Sequence, residues 1–171
     1  KYSPIGEMNT FAKQYAESLC QVSGHVALIA DRDQFIAVSG GFKSILGKSL
    51  SRELEEKTNN RESLIASKGD KNFIPLTQEG TDGFIHEAIS PIICEGDVIG
   101  VVALISNNEK IKMGEVEQKL IQSASGFLGR QMEKVLFTMC LVSCSCLVNI
   151  NNMILHNNRL NPQSISARRI D

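Results

Sequence analysis

From Ile5 onward the apolar side chains fall at Ile5, Met8, Ala12, Tyr15, Leu19 and Val22, in alternating steps of three and four. That spacing draws one stripe along a helix and matches the seam of a coiled coil. Phe11 and Ala16 widen the stripe, and Gly24 ends it as a glycine past a helix C-terminus does. The period then changes. An apolar run from Val26 to Ala30, a polar Asp31-Arg32-Asp33 turn and a second run from Phe35 to Val38 predict a β-hairpin closed by Gly40-Gly41. The stretch "KSLSRELEEKTNN" predicts a helix with Ser49 or Ser51 as N-cap and acidic residues in its first turn. Residues Arg61 to Ser67 are expected to add a short helix, and "KGDKNFIPLTQEGTDG" to be turn-rich around a brief Phe73 to Leu76 strand.

A second hairpin follows, with strands near Phe84 to Cys94 and Val98 to Asn107 around Glu95-Gly96-Asp97. Val, Ile and Ala occupy both pleat faces of its second strand, which places that strand in the middle of a sheet covered on both sides. From Met113 to about Glu133 a second amphipathic helix puts Met113, Val116, Leu120, Ala124, Phe127 and Leu128 on one face, with Glu115 and Glu117 in its first turn. Its small residues Ser123, Ala124, Ser125, Gly126 and Gly129 are of the kind that lets another helix approach closely. The order read from the pattern is therefore helix, two strands, small helices, strands and helix.

After Lys134 the pattern is lost. Val135 to Leu155 carries no charge, and "HNNRLNPQSISARRID" is Asn-rich and without period, so a boundary is expected near Glu133. As a helix, the uncharged stretch would be about 30 Å long, enough to cross a bilayer on length alone. Thr138, Ser143, Ser145, Asn149, Asn151 and Asn152 interrupt it, and the expectation is a helical extension through about Val148 with disorder beyond.

Composition narrows the function classes. The 171 residues, 42% hydrophobic and 22% charged, fit one core with an appendage. A net charge of −1 offers no basic surface for nucleic acid or anionic lipid, so no membrane partner is expected, and any DNA contact belongs to a part of the protein outside this chain. The chain begins at Lys1 rather than Met, and a missing upstream segment is expected. With no signal peptide, the expected compartment is the cytoplasm, where Cys20 and Cys94 stay reduced.

The runs "KYSPIGEMNTFAKQYAESL", "HVALIADRDQFIAVSG", "ISPIICEGDVIGVVALIS" and "MGEVEQKLIQSASGFLGRQME" together resemble the C-terminal GAF domain of the stage V sporulation protein T family, over residues 1 to 133. The resemblance rests on the order and spacing of several segments. It implies a sporulation transcription regulator whose AbrB-type DNA-binding domain precedes this chain, with Lys1 to Pro4 as the remnant of the joint and residues 5–133 as the GAF domain. It also implies an α/β fold of the α+β kind, an antiparallel sheet with N- and C-terminal helices on one face and a ligand cavity between the sheet and the loops on the other, and a homodimer through the terminal helices, with Ile5, Met8, Tyr15 and Leu19 facing Leu120, Phe127 and Leu128. The plainer alternative is that this stripe only packs on its own sheet. Residues 134–171 match nothing in the family, and a frameshifted or read-through tail is expected.

Few constellations point to chemistry. Gly47-Lys48-Ser49 ends like a phosphate-binding loop, but Phe42 stands where that motif requires glycine. His86-Glu87 opens a zinc-peptidase pattern, but Ser90 stands where the second histidine belongs. Pleat alternation puts Phe84, His86, Ala88 and Ser90 on one face and Ile85, Glu87, Ile89 and Pro91 on the other. The first set mixes small and polar residues as a cavity wall would, so His86, Ser90 and Ser39 are the candidate ligand contacts, for an unknown small-molecule effector. The plainer alternative is an edge-proximal strand whose His86 and Ser90 meet water or backbone. Cys94 could serve a reductase of the methionine sulfoxide type, but no resolving cysteine is evident, and a lone buried thiol behaves as a small hydrophobe. "CLVSCSC", Cys140 to Cys146, is a weak metal pattern with His156 nearby. No catalytic residue, metal or cofactor is expected. The competing readings are a ligand-responsive regulatory module, a scaffold with no ligand, and a Cys94 reductase.

Overall fold

The structure is a computed structural model that describes residues 9–80 and 83–134. The chain divides between Glu133 and Lys134 into two units, and every described residue except Lys134 belongs to the first. The expected extension through Val148, the cysteines at 140, 144 and 146, and Ile5 and Met8 of the stripe lie outside the described residues.

The first unit runs α1 (Asn9–Ser23), β1 (Val26–Ala30), β2 (Phe35–Ser39), a 3-10 turn (Lys43–Ile45), α2 (Arg52–Asn59), β3 (Leu64–Ser67), β4 (His86–Cys94), β5 (Asp97–Ser106) and α3 (115–134). The five strands form one antiparallel sheet in the order β2-β1-β5-β4-β3. β5 is thus central, as its apolar residues on both faces require. The two predicted hairpins form. β4 and β5 join at Glu95 (φ 50°) and Gly96 (φ 88°), two positive-φ residues between the paired Cys94 and Asp97. A two-residue turn with both central residues left-handed has the twist that antiparallel strands need.

Cross-strand register sorts the side chains into two layers. Leu28, Val101, Ala103, Ile105 and Ile89 point into a core that also holds Phe35, Leu54, Leu76 and Phe84, beneath α2 and the segment 68–80. On the opposite face α1 packs over β1 and β2 through Ala12, Ala16 and Leu19, and the small side chains of the two alanines let it lie close to the strands. α2 starts at Ser51, whose hydroxyl accepts the Leu54 N–H at 3.0 Å as an N-cap, with Glu53 and Glu55 in the first turn. α3 starts with the Glu117 carboxylate accepting the Gly114 N–H at 2.7 Å, half of a capping box.

Four expectations are corrected. Arg61 to Ser67 is no helix: four of these residues form β3, paired Leu64↔Ile89 through Ser67↔His86, because the open edge of β4 offers a ladder and seven residues cannot sustain a helix alone. Phe73 to Leu76 is extended chain outside the sheet, bridged only through Leu50↔Thr77. Val116 is 74% exposed, since the inward face of α3 runs through Ile121, Ala124, Leu128 and Met132. Two of the small residues of α3, Ser125 and Gly129, meet a strand rather than a helix. A Cβ on Gly129 would lie 2.1 Å from the Ile93 carbonyl oxygen, at the bulge between Ile92 and Ile93.

Candidate functional site

Strand β4 addresses both layers, and its chemistry differs by face. On the helix side, His86 pairs through Nδ1 with the Ser67 hydroxyl at 2.8 Å, and its Nε2 has no hydrogen-bond partner. Two pleats on, the Ser90 hydroxyl lies 3.1 Å from that of Ser63 and 2.9 Å from that of Ser125 on α3. Ser125 donates to the Gln122 carbonyl at 3.1 Å. Its one proton being spent there, Ser125 accepts from Ser90, and Ser90 in turn accepts from Ser63. One directed chain of hydroxyls thus ties β4 to α3.

The sequence-predicted contacts are only partly brought together. His86 and Ser90 share a strand face, and His86 with Ser67, Lys68, Ile85 and Glu109 lines a cavity of about 280 Å³. Ser39 lies opposite Ala27 at the far edge of the sheet, three strand spacings from β4, roughly 14 Å. The face of His86 and Ser90 looks toward α3, whereas the wall beneath the segment 68–80 is the Glu87 face. The alternation of β4 was legible, but which face meets helices and which meets loops is not encoded in a period of two.

Glu87 is the group that sequence reasoning passed over. It is 0% exposed, its Oε1 accepts the Ile74 N–H at 2.8 Å, and its Oε2 has no partner. Burial pushes its carboxyl up to about 8, against the opposing pull of the Ile74 amide, so at neutral pH it is mostly a neutral acid. The available signal was a carboxylate at an inward position of an apolar strand, where an ionised group is rarely tolerated unpaired. His86 and Glu87 point to opposite faces and cannot share a ligand. Among the described residues no group of three or more His, Cys, Asp or Glu could hold a metal ion.

Cys94 is 3% exposed, and burial first, then Glu133, Glu95 and Asp97, pushes its thiol up. That keeps the sulfur protonated and a poor nucleophile. A polar groove of about 570 Å³ lies between the β1–β2 turn, the end of α2 and the β4–β5 turn, where Arg32 donates to the Val98 carbonyl at 2.6 Å and Arg61 to that of Gly96.

The helix stripe divides in two. Leu19 and Leu128 are buried within the unit, as the plainer alternative held, whereas Tyr15, Leu120 and Phe127 are half-buried. The rings of Tyr15 and Phe127 stack at 5.2 Å between centroids, with Phe11 at 6.0 Å from Tyr15, joining α1 to α3. Partial burial raises the Tyr15 phenol above its usual value. Near the ends of this layer Val22 and Val116 are 73% and 74% exposed.

A family model described as stage V sporulation protein T C-terminal, transcription factor, matches residues 7–133. Stage V sporulation protein T of Bacillus subtilis (strain 168) is 43% identical over 135 residues, covering 78% of this chain and 74% of that protein. Among solved structures, the PixJ GAF domain of Thermosynechococcus elongatus in its blue-light absorbing form superposes with a TM-score of 0.66 at 11% identity, over 84% of this chain and 95% of that one. The type II free methionine-R-sulfoxide reductase of Thermoplasma acidophilum gives 0.55 at 10% identity, over 74% and 95%. At such identities the structures share the fold: an α+β GAF-like sheet with flanking helices.

Proposed function

The chain belongs to the family of stage V sporulation protein T C-terminal transcription-factor domains, and on that premise we propose that it is a regulatory module that holds two copies together through α1 and α3 and biases their geometry in response to a small molecule or a protein partner. DNA contact in this reading belongs to an AbrB-like domain preceding the chain, and the compartment is the cytoplasm, where a transcription factor meets its DNA. Within the described residues no helix is long and apolar enough to cross a membrane.

The observation that supports this reading is the two-sided role of β4. On one face the Ser63, Ser90 and Ser125 hydroxyls bind β4 to α3; on the other Glu87 holds the segment that covers the loop-side core. A change on the loop side therefore has a direct mechanical route to the helix layer, through one strand rather than through a chain of soft contacts. An effector can shift the helices only to the extent that it binds the two arrangements unequally. The reductase reading is disfavoured by Cys94, whose buried thiol lies among three carboxylates that oppose its ionisation.

Native mass spectrometry and thermal shift of the full chain against a fractionated sporulating-cell extract test the sensor. A fraction holding an effector at 100 times its Kd raises the stability by about 2.7 kcal/mol. No retained mass and no shift in any fraction would leave the oligomerisation scaffold, with no ligand, as the correct reading.

A further inference from the structure

The backbone of Glu87 belongs to the sheet, paired with Ala66 and Ile105, but its side chain lies on the loop-side face, where among the described residues it bonds only the Ile74 amide. We propose that the segment from Lys68 to Gly80 is a proton-controlled latch, held on the sheet while Glu87 is neutral and released when Glu87 ionises. The latch rests on the regulatory reading only for its biological consequence; its physics needs no DNA-binding partner.

The segment is held by scattered contacts rather than by a ladder: the Leu50↔Thr77 bridge, the Lys48–Glu79 ion pair, the burial of Ile74 and Leu76, and hydrogen bonds to Ile85, Glu87 and Ser51. Lys68 N–H donates to the Ile85 carbonyl at 2.7 Å, Ile74 N–H to Glu87 Oε1 at 2.8 Å, and the Leu76 and Pro75 carbonyls accept from the backbone N–H and hydroxyl of Ser51. Beneath it the Phe73 and Phe84 rings meet at 5.4 Å. Strands β3, β4 and β5 on either side of Glu87 are locked by continuous ladders. If Glu87 loses its proton where it stands, the Ile74 amide can serve one oxygen, and Oε2 is left as a buried charge with neither donor nor cation.

Among the described residues no neighbouring element supplies a countercharge. β3 carries no titratable residue, and the charge of β5 is Asp97 at its exposed turn. On β4, His86 faces the other layer. α2 turns Leu54 and Thr58 inward and holds Arg52, Glu53, Glu55 and Glu56 in solvent, with Lys57 paired to Glu62. On the segment itself Lys68, Asp70 and Lys71 are exposed, and Glu79 pairs with Lys48. Water is the remaining donor; of the two covers of this face, α2 and the segment, the segment is the one bonded to the Glu87 carboxyl, and lifting it admits water to Oε2. Because burial places the Glu87 carboxyl at about 8, a modest change around neutral pH moves it. Lifting also loosens Ser51, the N-cap of α2, so the opening spreads to the helix on the same face.

Two measurements on the full chain test the latch: the carbon-13 shift of the Glu87 carboxyl against pH, and hydrogen exchange of the Ile74 amide from pH 7 to 9, divided by the rate of an unstructured peptide at each pH. The carboxyl is expected to titrate near 8. Its ionised fraction then rises about tenfold over this range, and the protection of Ile74 falls by about the same factor. In Glu87→Gln, which keeps an oxygen for the Ile74 amide but has no proton to lose, protection stays within twofold. Should that variant not fold, the parent still decides, because the two parent curves must share a midpoint. A carboxyl titrating in the ordinary range near 4.5, or Ile74 protection that does not follow the Glu87 titration, overturns the proposal. Neither result bears on dimerisation, so a failed latch and a failed regulatory reading are separable.

Discussion

Glu87 links sequence to behaviour more directly than any other residue of the described chain. A carboxyl in the folded core at about 8, against about 4.5 when unfolded, makes the folded state the better proton binder between those values. The stabilisation that comes with the neutral acid is complete below about pH 4.5 and is lost as pH rises through 8, at up to ~1.4 kcal/mol per pH unit. Urea midpoints of the parent are therefore expected to fall from pH 5 to 8 and then level off, and the difference curve against Glu87→Gln isolates this contribution. A difference that does not change with pH would mean that Glu87 is solvated in the native protein. Cys94, by contrast, is a residue whose sequence reading as a structural thiol matches its environment, since burial and its carboxylate neighbours all disfavour the thiolate. At this scale sequence reasoning reached the faces of β4 but not their neighbours. It read small polar residues as a cavity wall, whereas Ser90 uses its hydroxyl to fasten α3.

Elements were legible where their signals are local. The two hairpins carry polar turns between apolar runs, and the Ser51 cap with its acidic first turn marks α2 without reference to anything distant. β3 was missed because its strand state is conferred by β4, about twenty residues away in sequence, and nothing in "RESLIAS" announces that partner. α3 was found but its partner was not: its small residues were read as a helix contact, and the structure sets Gly129 against the carbonyl of Ile93. The β4 bulge at Ile92 and Ile93 is what brings that carbonyl to the helix. Gly129→Ala would force α3 away from β4. The helix propensity gained, about 1 kcal/mol, is outweighed by the clash, and a net loss of about 2 kcal/mol is expected from denaturant unfolding. A neutral or stabilising effect would show that α3 does not lie so close to the sheet.

For the whole molecule, the architecture separates two tasks by layer. The loop face carries a covering segment and a titratable acid, the helix face carries aromatic contacts and exposed valines, and β4 is common to both. The order of helix, hairpin, helix, hairpin and helix was accessible from periodicity, whereas β3 was not, and the arrangement of sheet and helices was implied by the resemblance to the family. The division of labour was not, because it depends on which layer covers which face. An isolated unit gains little from leaving Val22 and Val116 in solvent at the ends of a helix layer whose Tyr15 and Phe127 are only half covered. The proposed second copy, seated on α1 and α3, would cover these side chains, and it is the arrangement on which the regulatory reading depends. Sedimentation velocity of the full chain at tens of micromolar tests it most directly. The account predicts a species of twice the 18.8 kDa chain mass, converted to monomer by Tyr15→Glu together with Phe127→Glu. A parent chain that sediments as a monomer across that range would contradict it.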